Sequence, residues 1–382
     1  MPRVWRPRLD PLLLLASLGL VACSLIVLRG ATRDDIQGDP TYFVKRQAIY
    51  ALVGLVLMYG VSRLDYSRLR ELRYPIYGVL VVSLIAVLGL AAATRGAKSW
   101  IPLPGFQVQP SEIGKVLLVV ALAGFVVERL REMGRQTTAR VMLLGLFPTM
   151  LVMAEPDLGS ATVYIFGTMA ILFVAGAPWR HFAALIAMFA LSLTFVLVVA
   201  PKVGVELLKP YQVDRLTAFL HPSADPGETG YQQAQARIAI GSGEKTGRGV
   251  ENATQTKLDY LPEHQTDFIY AVIGETYGFA GCALVLSLYA LLIWRALRIL
   301  TISKNLFGAL IAGGIAVMLL YQLFVSIGMN VGIMPITGVT APLLSFGGSS
   351  MLATFLALGL LHSINAQARE TADRKGRATV FQ

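Results

Sequence analysis

The sequence predicts an all-α polytopic integral membrane protein, and three observations carry that prediction. Of the 382 residues, 55% are hydrophobic and only 15% are charged, whereas charged residues make up about 25% of an average soluble domain. Apolar runs approaching the roughly 20 residues that cross a bilayer recur along the chain from Leu12 to Ile364. Because little sequence is left for a soluble domain, a water-soluble enzyme is excluded.

Ten transmembrane helices are predicted from these apolar runs. Their limits are Leu12–Leu28, Val44–Val61, Tyr74–Ala93, Ile113–Val127, Val141–Met153, Ser160–Ala175, Phe182–Ala200, Phe268–Ile293, Phe307–Asn330 and Ser349–Ile364. The first run is interpreted as a retained helix rather than a signal peptide, because no small-residue cleavage site follows it cleanly and the next run begins shortly afterwards.

The distribution of Lys and Arg predicts that both termini are cytoplasmic. With the N-terminus inside, nineteen of these residues fall in cytoplasmic segments and six in the short outer loops, as the positive-inside rule requires. Orientation therefore explains the net charge of +10 without a nucleic-acid partner. The whole chain, 1–382, is interpreted as a single transmembrane domain that ends in a basic cytoplasmic tail at 366–382.

One long extracytoplasmic loop, residues 201–267, joins the seventh and eighth predicted helices. It is rich in turn-forming residues such as Asp225-Pro226-Gly227. It also carries an amphipathic stretch, Gly230 to Ile240, of the kind that lies on a membrane surface. Loops longer than about 12–15 residues are usually functional or disordered, and we favour a role that faces the substrate.

Metal and nucleotide chemistry find little support in the sequence. Cys23 and Cys282 each lie within an apolar run, and the four histidines include no pair spaced i, i+4 for zinc. No metal site is therefore predicted. The segment Gly243-Glu244-Lys245-Thr246 lacks the spacing of a phosphate-binding P-loop, so nucleotide hydrolysis is unsupported.

Ionisable residues cluster at the outer ends of the predicted helices, and such residues are functional hypotheses because charge in a membrane is costly. Glu112 and Lys115 are three residues apart on one face of the fourth helix. They form either a structural ion pair or a site where Lys115 meets an anionic substrate. In the next outer turn, Glu155 precedes Asp157, which either caps the sixth helix or takes part in chemistry.

The densest polar segment, Leu261 to Phe268, opens the eighth helix. Thr266 is its predicted N-cap, and Asp267 is predicted to lie in the first turn, where the helix dipole favours an ionised carboxylate. Asp267 is therefore a candidate general base, with helix capping as the alternative. The last outer loop, Pro335 to Ser350, is uncharged and breaks the apolar pattern, which is tolerated at membrane depth where the backbone lines a cavity.

Taken together, these segments resemble the SEDS family (shape, elongation, division and sporulation) of bacterial cell-wall proteins over essentially the whole chain. The motifs that carry the resemblance are Gly96-Ala97 with Trp100, Gln109-Pro110-Ser111-Glu112 with Lys115, Glu155-Pro156-Asp157-Leu158-Gly159, Gly230-Tyr231-Gln232, Ile238-Ala239-Ile240-Gly241-Ser242-Gly243, Leu261-Pro262-Glu263 with Thr266-Asp267-Phe268, and Ser345-Phe346-Gly347-Gly348-Ser349. The segments Ala239 to Gly243 and Ala253 to Gln255 are closer to the elongation (RodA-like) branch than to the division (FtsW-like) branch.

Two positions depart from the family pattern. The family usually reads Pro-Glu-x-His-Thr-Asp-Phe, whereas here His264 occupies the variable place and Gln265 stands where the histidine is expected. The family also tends to carry Arg just before the tryptophan, and this chain has Ser99 there with Lys98 beside it. A positive charge is thus available one position away.

The resemblance implies an inverting peptidoglycan glycosyltransferase that polymerises lipid II at the outer face of the bacterial cytoplasmic membrane during cell elongation. It implies that Asp267 deprotonates the acceptor hydroxyl and that undecaprenyl pyrophosphate leaves. The residues expected to bind substrate are Lys115, Glu112, Trp100, Asp157, Arg215, Arg237, Thr266 and Ser345. Of these, Lys115, Arg215 and Arg237 are the candidate cations for the pyrophosphate. No cofactor is assigned, and Mg²⁺ or Mn²⁺ is left open because the sequence shows no dedicated set of ligands.

The resemblance also implies a partner, a class B penicillin-binding protein whose transpeptidase crosslinks the new glycan and whose membrane helix docks against the eighth and ninth helices. Other proteins of the elongation machinery and the membrane lipid are further expected partners. Three alternatives stay open: an FtsW-like division polymerase, a non-catalytic scaffold, and a lipid II flippase. The flippase predicts ionisable groups at the midplane and paired broken helices.

Overall fold

The computed structural model describes residues 9–33, 35–36, 38–90, 92–94, 97–103, 106–129, 134–155, 157–184, 187, 228–258 and 260–380. These ranges are mostly helical, and they include seven helices long and apolar enough to cross a membrane and two shorter apolar ones. The ten helices labelled here are α1 (Pro11–Ala31), α2 (Tyr42–Ser62), α3 (Arg73–Leu90), α4 (Pro110–Glu128), α5 (Arg135–Ala154), α6 (Leu158–Val174), α7 (Glu228–Ser242), α8 (Ile269–Ile302), α9 (Leu306–Val331) and α10 (Gly348–Val380).

The predicted helical membrane architecture is confirmed. Nine of the ten predicted runs each fall on one of these apolar helices, with α7 as the additional, more polar helix. Most of the remaining run, Phe182–Ala200, lies outside the described residues, and so does the first part of the long loop, residues 201–227. The count of ten spans is therefore still a prediction.

A small antiparallel sheet departs from the all-α prediction. Its strands are β1 (Ala92–Thr94), β2 (Ala97–Leu103) and β3 (Phe106–Val108), in the order β1-β2-β3. Residue pairs Ala92 with Trp100 and Ile101 with Val108 set the register. Pro102 and Pro104 disfavour a helix in this segment, so the chain leaves α3 through a short meander before α4 begins.

Helices α4, α9 and α10 form the centre of the bundle. In their apolar windows 78%, 72% and 89% of the residues are buried, against 22% in α2. α10 packs closely along α2, because Gly54 and Gly359 let the two backbones approach. A Cβ atom placed on Gly54 would lie 2.3 Å from a ring carbon of Phe355, and one placed on Gly359 would lie 2.8 Å from the carbonyl oxygen of Met58.

α8 is interrupted at Gly278, whose φ of 62° and ψ of −158° are not helical. Residues 241–249, the glycine strap, cross α8 at this break and bind the backbone groups that it leaves free. The hydrogen bonds join Arg248 N to Glu275 O, Gly249 N to Thr276 O, Phe279 N to Glu244 O and Ala280 N to Lys245 O, at 2.9, 3.0, 2.9 and 3.1 Å. The strap thereby ties the long loop to the first half of α8.

α7 covers the amphipathic stretch of the long loop and packs against α8 and α9. Its inner face buries Gln233, Ala236 and Ala239, whereas Tyr231 and Ile238 are exposed. The Gln233 amide donates to the carbonyl of Met334 at 2.8 Å. The amphipathic stretch therefore forms a helix whose inner face packs on the bundle, and its contact with the membrane surface is still a prediction.

Two ends of the bundle differ in chemistry. One end, here called the site end, carries Asp267 and the loops before α4, α6 and α10. At the opposite end the buried Asp10 caps α1 and pairs with Arg295 and Arg369. Burial alone would raise the pKa of Asp10, but the two guanidinium groups and the Leu13 amide hold it below its ordinary value. This ion cluster joins α1, α8 and α10.

Candidate active site

Asp267 lies in a tight turn that precedes α8. The amides of Thr266, Asp267 and Phe268 converge on the carbonyl of Glu263 at 3.1, 3.1 and 3.4 Å, and Glu263 adopts a left-handed φ of 57°. α8 begins at Ile269, after Phe268 as the cap residue, and no side chain of that residue caps it. The prediction that Thr266 caps the helix and that Asp267 lies in its first turn is therefore wrong.

The cap of α8 comes from a neighbouring helix instead. The amide of Ala271, in the first turn of α8, donates to Oδ1 of Asn330 at 3.0 Å, and Nδ2 of Asn330 donates to the carbonyl of Asp267 at 2.9 Å. A helix start needs a partner for its free N–H groups. Asn330 on α9 supplies this partner. The Thr266 hydroxyl donates instead to the Glu263 carboxylate at 3.1 Å.

The loop before α10 packs directly on the Asp267 turn. A Cβ atom placed on Gly338, which has a φ of 74°, would lie 3.8 Å from Oδ2 of Asp267. The Ser345 hydroxyl donates to the carbonyl of Thr266 at 2.6 Å and accepts from the amide of Ala341 at 2.9 Å. Ser345 therefore holds the loop against the turn, while its contact with substrate is still a prediction.

A second polar group surrounds the starts of α4 and α6. Asp157 caps α6 by accepting from the Ser160 amide at 2.8 Å, and its other oxygen accepts from Nε2 of Gln109 at 3.0 Å. Burial raises the pKa of Asp157 above its ordinary value, although the hydrogen bonds from Ser160 act in the opposite direction. Burial, together with the charge of Asp157, raises the pKa of Glu155 to about 8.

Lys115 and Glu112 form a buried ion pair on α4, with 2.6 Å between Nζ and Oε1. Only 4% of the Lys115 side chain and 9% of the Glu112 side chain are exposed. The pair lies in a cleft whose other walls come from α9 and α10. Those walls include Met318, Gln322 and Thr354. The pairing confirms that the two residues share one helix face.

The loop at Thr337 and Gly338 links these two polar groups. A Cβ atom placed on Gly159, at the start of α6, would lie 2.6 Å from the carbonyl oxygen of Thr337. The next residue of that loop, Gly338, faces Asp267. The structure therefore gathers the predicted residues Asp267, Thr266, Ser345 and Asp157 around one loop, although they come from distant parts of the sequence.

Of the other predicted substrate residues, Trp100 and Arg237 lie within the described ranges and Arg215 does not. Trp100 is in β2 and partly buried. Arg237 is exposed on α7, and its Cδ atom would lie 2.9 Å from a Cβ placed on Gly332 at the end of α9. Arg215 lies outside the described residues. Their roles in binding are still predictions.

Two further polar residues, His264 in the densest segment and Glu275 in α8, have structural partners. The buried Glu275 carboxylate accepts from the amides of Gln255 and Thr256 at 2.8 and 3.1 Å, so it anchors the loop that follows the glycine strap. His264 lies with Nε2 3.1 Å from the Asp35 carboxylate. The His264 contact ties the segment before Asp267 to the α1–α2 loop, and the Glu275 contacts tie α8 to the loop at Gln255 and Thr256.

Sequence reasoning missed Asn330 and the side-chain role of Gln109. Asn330 was placed at the end of an apolar run, and a polar residue in that position is itself a signal. In the part of the chain that the structure describes, no three His, Cys, Asp or Glu side chains stand together as metal ligands.

A bundle of apolar helices of membrane-spanning length, with a carboxylate turn and a buried ion pair at one end, defines a polytopic membrane protein whose polar groups lie together at one end of its helices. The family model that covers FtsW, RodA and SpoVE, described as "Cell cycle protein", matches residues 9–370. The chain belongs to this family, the SEDS family.

Two curated relatives illustrate the similarity. The chain is 37% identical over 384 residues to "Probable peptidoglycan glycosyltransferase FtsW" of Thioalkalivibrio sulfidiphilus, covering 97% of this chain and 93% of the relative. It is 34% identical over 362 residues to "Peptidoglycan glycosyltransferase MrdB" of Escherichia coli, covering 94% of each. Because these identities to an FtsW and to an MrdB are nearly equal, they do not separate the two branches. The assignment to the elongation branch is still a prediction.

Two solved structures share the fold. One, described as "Structural coordination of polymerization and crosslinking by a peptidoglycan synthase complex", matches with a TM-score of 0.79 and 32% identity, over 94% of this chain and 98% of that chain. The other is the rod shape determining protein RodA of Thermus thermophilus, with a TM-score of 0.68 and 30% identity, over 95% and 97%.

Proposed function

We propose that this protein polymerises lipid II into glycan strands at the outer face of the bacterial cytoplasmic membrane. Its glycosyltransferase class follows from the family and from two relatives with that name at 37% and 34% identity. The observation that carries the proposed site is the Asp267 carboxylate. It faces Gly338 in a turn whose backbone is bound on both sides.

In the proposed reaction Asp267 is the general base. One carboxylate oxygen takes the proton of the acceptor GlcNAc 4-hydroxyl while that hydroxyl oxygen attacks C1 of the donor MurNAc. The bond from C1 to the pyrophosphate oxygen breaks, the configuration at C1 inverts, and undecaprenyl pyrophosphate leaves. An ionised carboxylate only accepts hydrogen bonds, and general-base catalysis contributes about 10²–10⁴-fold in rate.

The departing pyrophosphate needs positive charge close by. Lys115 is the proposed cation, because it lies in a cleft at the site end and Glu112 holds its ammonium group in place. Arg237, exposed near the end of α9, and Arg215 are the further candidates. Trp100, Asp157, Thr266 and Ser345 are proposed to line the sugar sites.

We place the site end outside the cell. The Lys and Arg distribution supports ten spans with both termini in the cytoplasm, and this orientation puts the loops before α4, α6, α8 and α10 on the outer face. Lipid II would then be met after its export. The arrangement of carboxylates at one end, rather than at the midplane, supports a polymerase over a flippase.

We further propose that a class B penicillin-binding protein works with this chain during cell elongation. Support comes from the structural neighbour described as a peptidoglycan synthase complex that coordinates polymerization and crosslinking. The membrane helix of the partner is proposed to dock on α8 and α9. Full activation by a partner that lacks this helix would contradict the docking.

The test is polymerisation of purified, labelled lipid II by the chain with its penicillin-binding partner, in the presence of a transpeptidase inhibitor. Wild type is expected to form glycan ladders, and Asp267→Asn, which keeps the size of the side chain, is expected to lose at least about 10²-fold in rate. Equal ladders from a folded Asp267→Asn protein would remove Asp267 from catalysis. Transbilayer movement of lipid II without any polymer from wild type would support the flippase instead.

A further inference from the structure

We infer that Asn330 is a positioning residue for Asp267, an inference that rests on the function proposed above. Asn330 is the penultimate residue of α9 and is completely buried. It therefore has no exposed surface with which to contact a substrate. Its side chain nevertheless reaches the backbone of Asp267 itself.

The Asn330 amide binds three backbone groups at once. Oδ1 accepts from the amide of Ala271 at 3.0 Å, and Nδ2 donates to the carbonyl of Asp267 at 2.9 Å and to that of Ser326 at 2.7 Å. Because an amide N–H only donates and a carbonyl only accepts, these partners determine which atom of Asn330 is oxygen and which is nitrogen. One side chain thus joins Asp267, two residues before α8, to the first turn of α8 and to α9.

The end of α9 that carries Asn330 is itself held firmly. Gly332 caps the helix in the left-handed region with a φ of 87°, and its amide donates to the carbonyl of Gly328 at 3.0 Å. The amide of Ile333 donates to the same carbonyl at 2.9 Å. Side chains mounted on such capped helix ends hold a functional group more accurately than loop residues do.

Three consecutive carbonyls around the proposed base are bound from other segments. Phe346 N donates to Gln265 O, Ser345 Oγ donates to Thr266 O and Asn330 Nδ2 donates to Asp267 O, at 2.9, 2.6 and 2.9 Å. Loss of the Asn330 bond is expected to let the Asp267 carboxylate move. A displacement of about 1 Å at a reacting group costs about 10²-fold in rate.

The test compares wild type, Asn330→Ala, Asn330→Asp and Asp267→Asn in the lipid II assay with the penicillin-binding partner. Asn330→Ala is expected to lower the rate at saturating lipid II by about 10²-fold. The lipid II concentration that gives half the maximal rate should not change, because Asn330 does not touch the substrate. A matched control, Asn365→Ala, removes a buried amide whose Oδ1 and Nδ2 have no hydrogen-bond partner within the described residues, and it should keep the wild-type rate.

Asn330→Asp separates positioning from simple folding. The ionised carboxylate keeps the acceptor for Ala271 but faces the carbonyls of Asp267 and Ser326 without a donor. When the introduced carboxyl takes up a proton, it regains one donor. The rate of Asn330→Asp divided by that of wild type is therefore expected to rise as the pH is lowered from 8 to 6.

Two outcomes would overturn the inference. One is a wild-type rate in Asn330→Ala while Asp267→Asn is inactive, and the other is a ratio for Asn330→Asp that does not vary with pH. If Asn330→Ala does not fold, as judged by thermal unfolding, the pH profile of Asn330→Asp decides alone. Wild-type activity of Asp267→Asn would instead contradict the proposed base, which keeps the two failures apart.

Discussion

Nζ of Lys115 lies 2.6 Å from Oε1 of Glu112, and both side chains are buried within the bundle. Breaking such a pair leaves one charge buried without its partner, whereas replacing both residues together is often tolerated. Stability alone therefore does not explain why a charged pair is present here. The pair is also the nearest charged group on α4 to the start of that helix, where the substrate is proposed to bind.

A double-mutant cycle of Glu112→Gln and Lys115→Met tests the role of this pair. Each single change is expected to lower the free energy of unfolding by about 3–5 kcal/mol, and the double change should recover most of that loss. Polymerisation should stay low in the double variant, because the cation for the pyrophosphate is missing. Thermal unfolding measures the effect on stability, and the lipid II assay measures the effect on polymerisation. If the double variant polymerises lipid II at the wild-type rate, the role of the pair is structural only.

Gly338→Ala is expected to impair catalysis out of proportion to its effect on stability. An L-residue at a φ of 74° costs about 1–2 kcal/mol, and the added Cβ would contact Oδ2 of Asp267 at 3.8 Å. At this distance the methyl group is in ordinary van der Waals contact and does not push the carboxylate aside. It takes up space beside the oxygen that the acceptor hydroxyl is proposed to approach, so we expect at least about a tenfold loss in rate through misplacement of the acceptor.

Gly38→Ala is the matched control for this change. Gly38 has a φ of 89°, and nothing lies within 4 Å of a Cβ placed there. It should lose a similar free energy of unfolding and keep the wild-type rate. Equal loss of polymerisation in both variants would show that backbone strain, rather than contact with Asp267, explains the effect.

Gly247→Ala is expected to disrupt the crossing of the glycine strap over α8. A Cβ at this position would lie 2.2 Å from the carbonyl oxygen of Thr276, and the φ of Gly247 is 83°. Overpacking of this kind costs about 1–3 kcal/mol, to which the backbone strain adds. Thermal unfolding should show the loss, whereas Gly241→Ala in the same strap, with nothing within 4 Å of its Cβ, should melt like wild type. Equal melting of the two variants would argue against a close crossing.

Glu155 is expected to make stability depend on pH. Its pKa is raised to about 8 by burial and by the charge of Asp157, so the folded state binds this proton more tightly than the unfolded state does. The stabilisation is complete below about pH 4.5, the ordinary range of a glutamate, and is lost as the pH rises towards 8. Thermal unfolding between pH 5 and 9 should therefore show a decline in wild type that is smaller in Glu155→Gln. The same decline in both proteins would rule out Glu155 as its source.

Much of the fold could be predicted because membrane helices obey a local rule. Each span satisfies its own backbone hydrogen bonds and needs an apolar run of sufficient length, so Leu12–Leu28 and Phe307–Asn330 lie within one to three residues of the ends of α1 and α9. The three short strands were not predicted, because their pairing depends on contacts between segments. The break at Gly278 was also missed, since its free backbone groups are bound by a strap some thirty residues earlier in the chain.

Only those parts of the candidate site that depend on neighbouring residues could be predicted. Asp157 was correctly considered as a helix cap, because an Asx cap binds an amide three residues ahead. Thr266 was wrongly assigned the same role, because the helix N–H group is bound instead by Asn330, 59 residues away from Ala271. A local sequence motif does not indicate a hydrogen-bond partner that lies so far away in the sequence.

The sequence by itself determined the class of this protein: a polytopic membrane protein with its polar chemistry at one end of the helices. Length, hydropathy and charge placement are properties of single segments in a bilayer, so they can be read one segment at a time. Only the tertiary structure decided which polar groups meet. Asp267 gains its fixed backbone from Asn330 on α9 and, through Thr266, from Ser345 in the last loop, and such long-range hydrogen bonds exist only once the helices have packed.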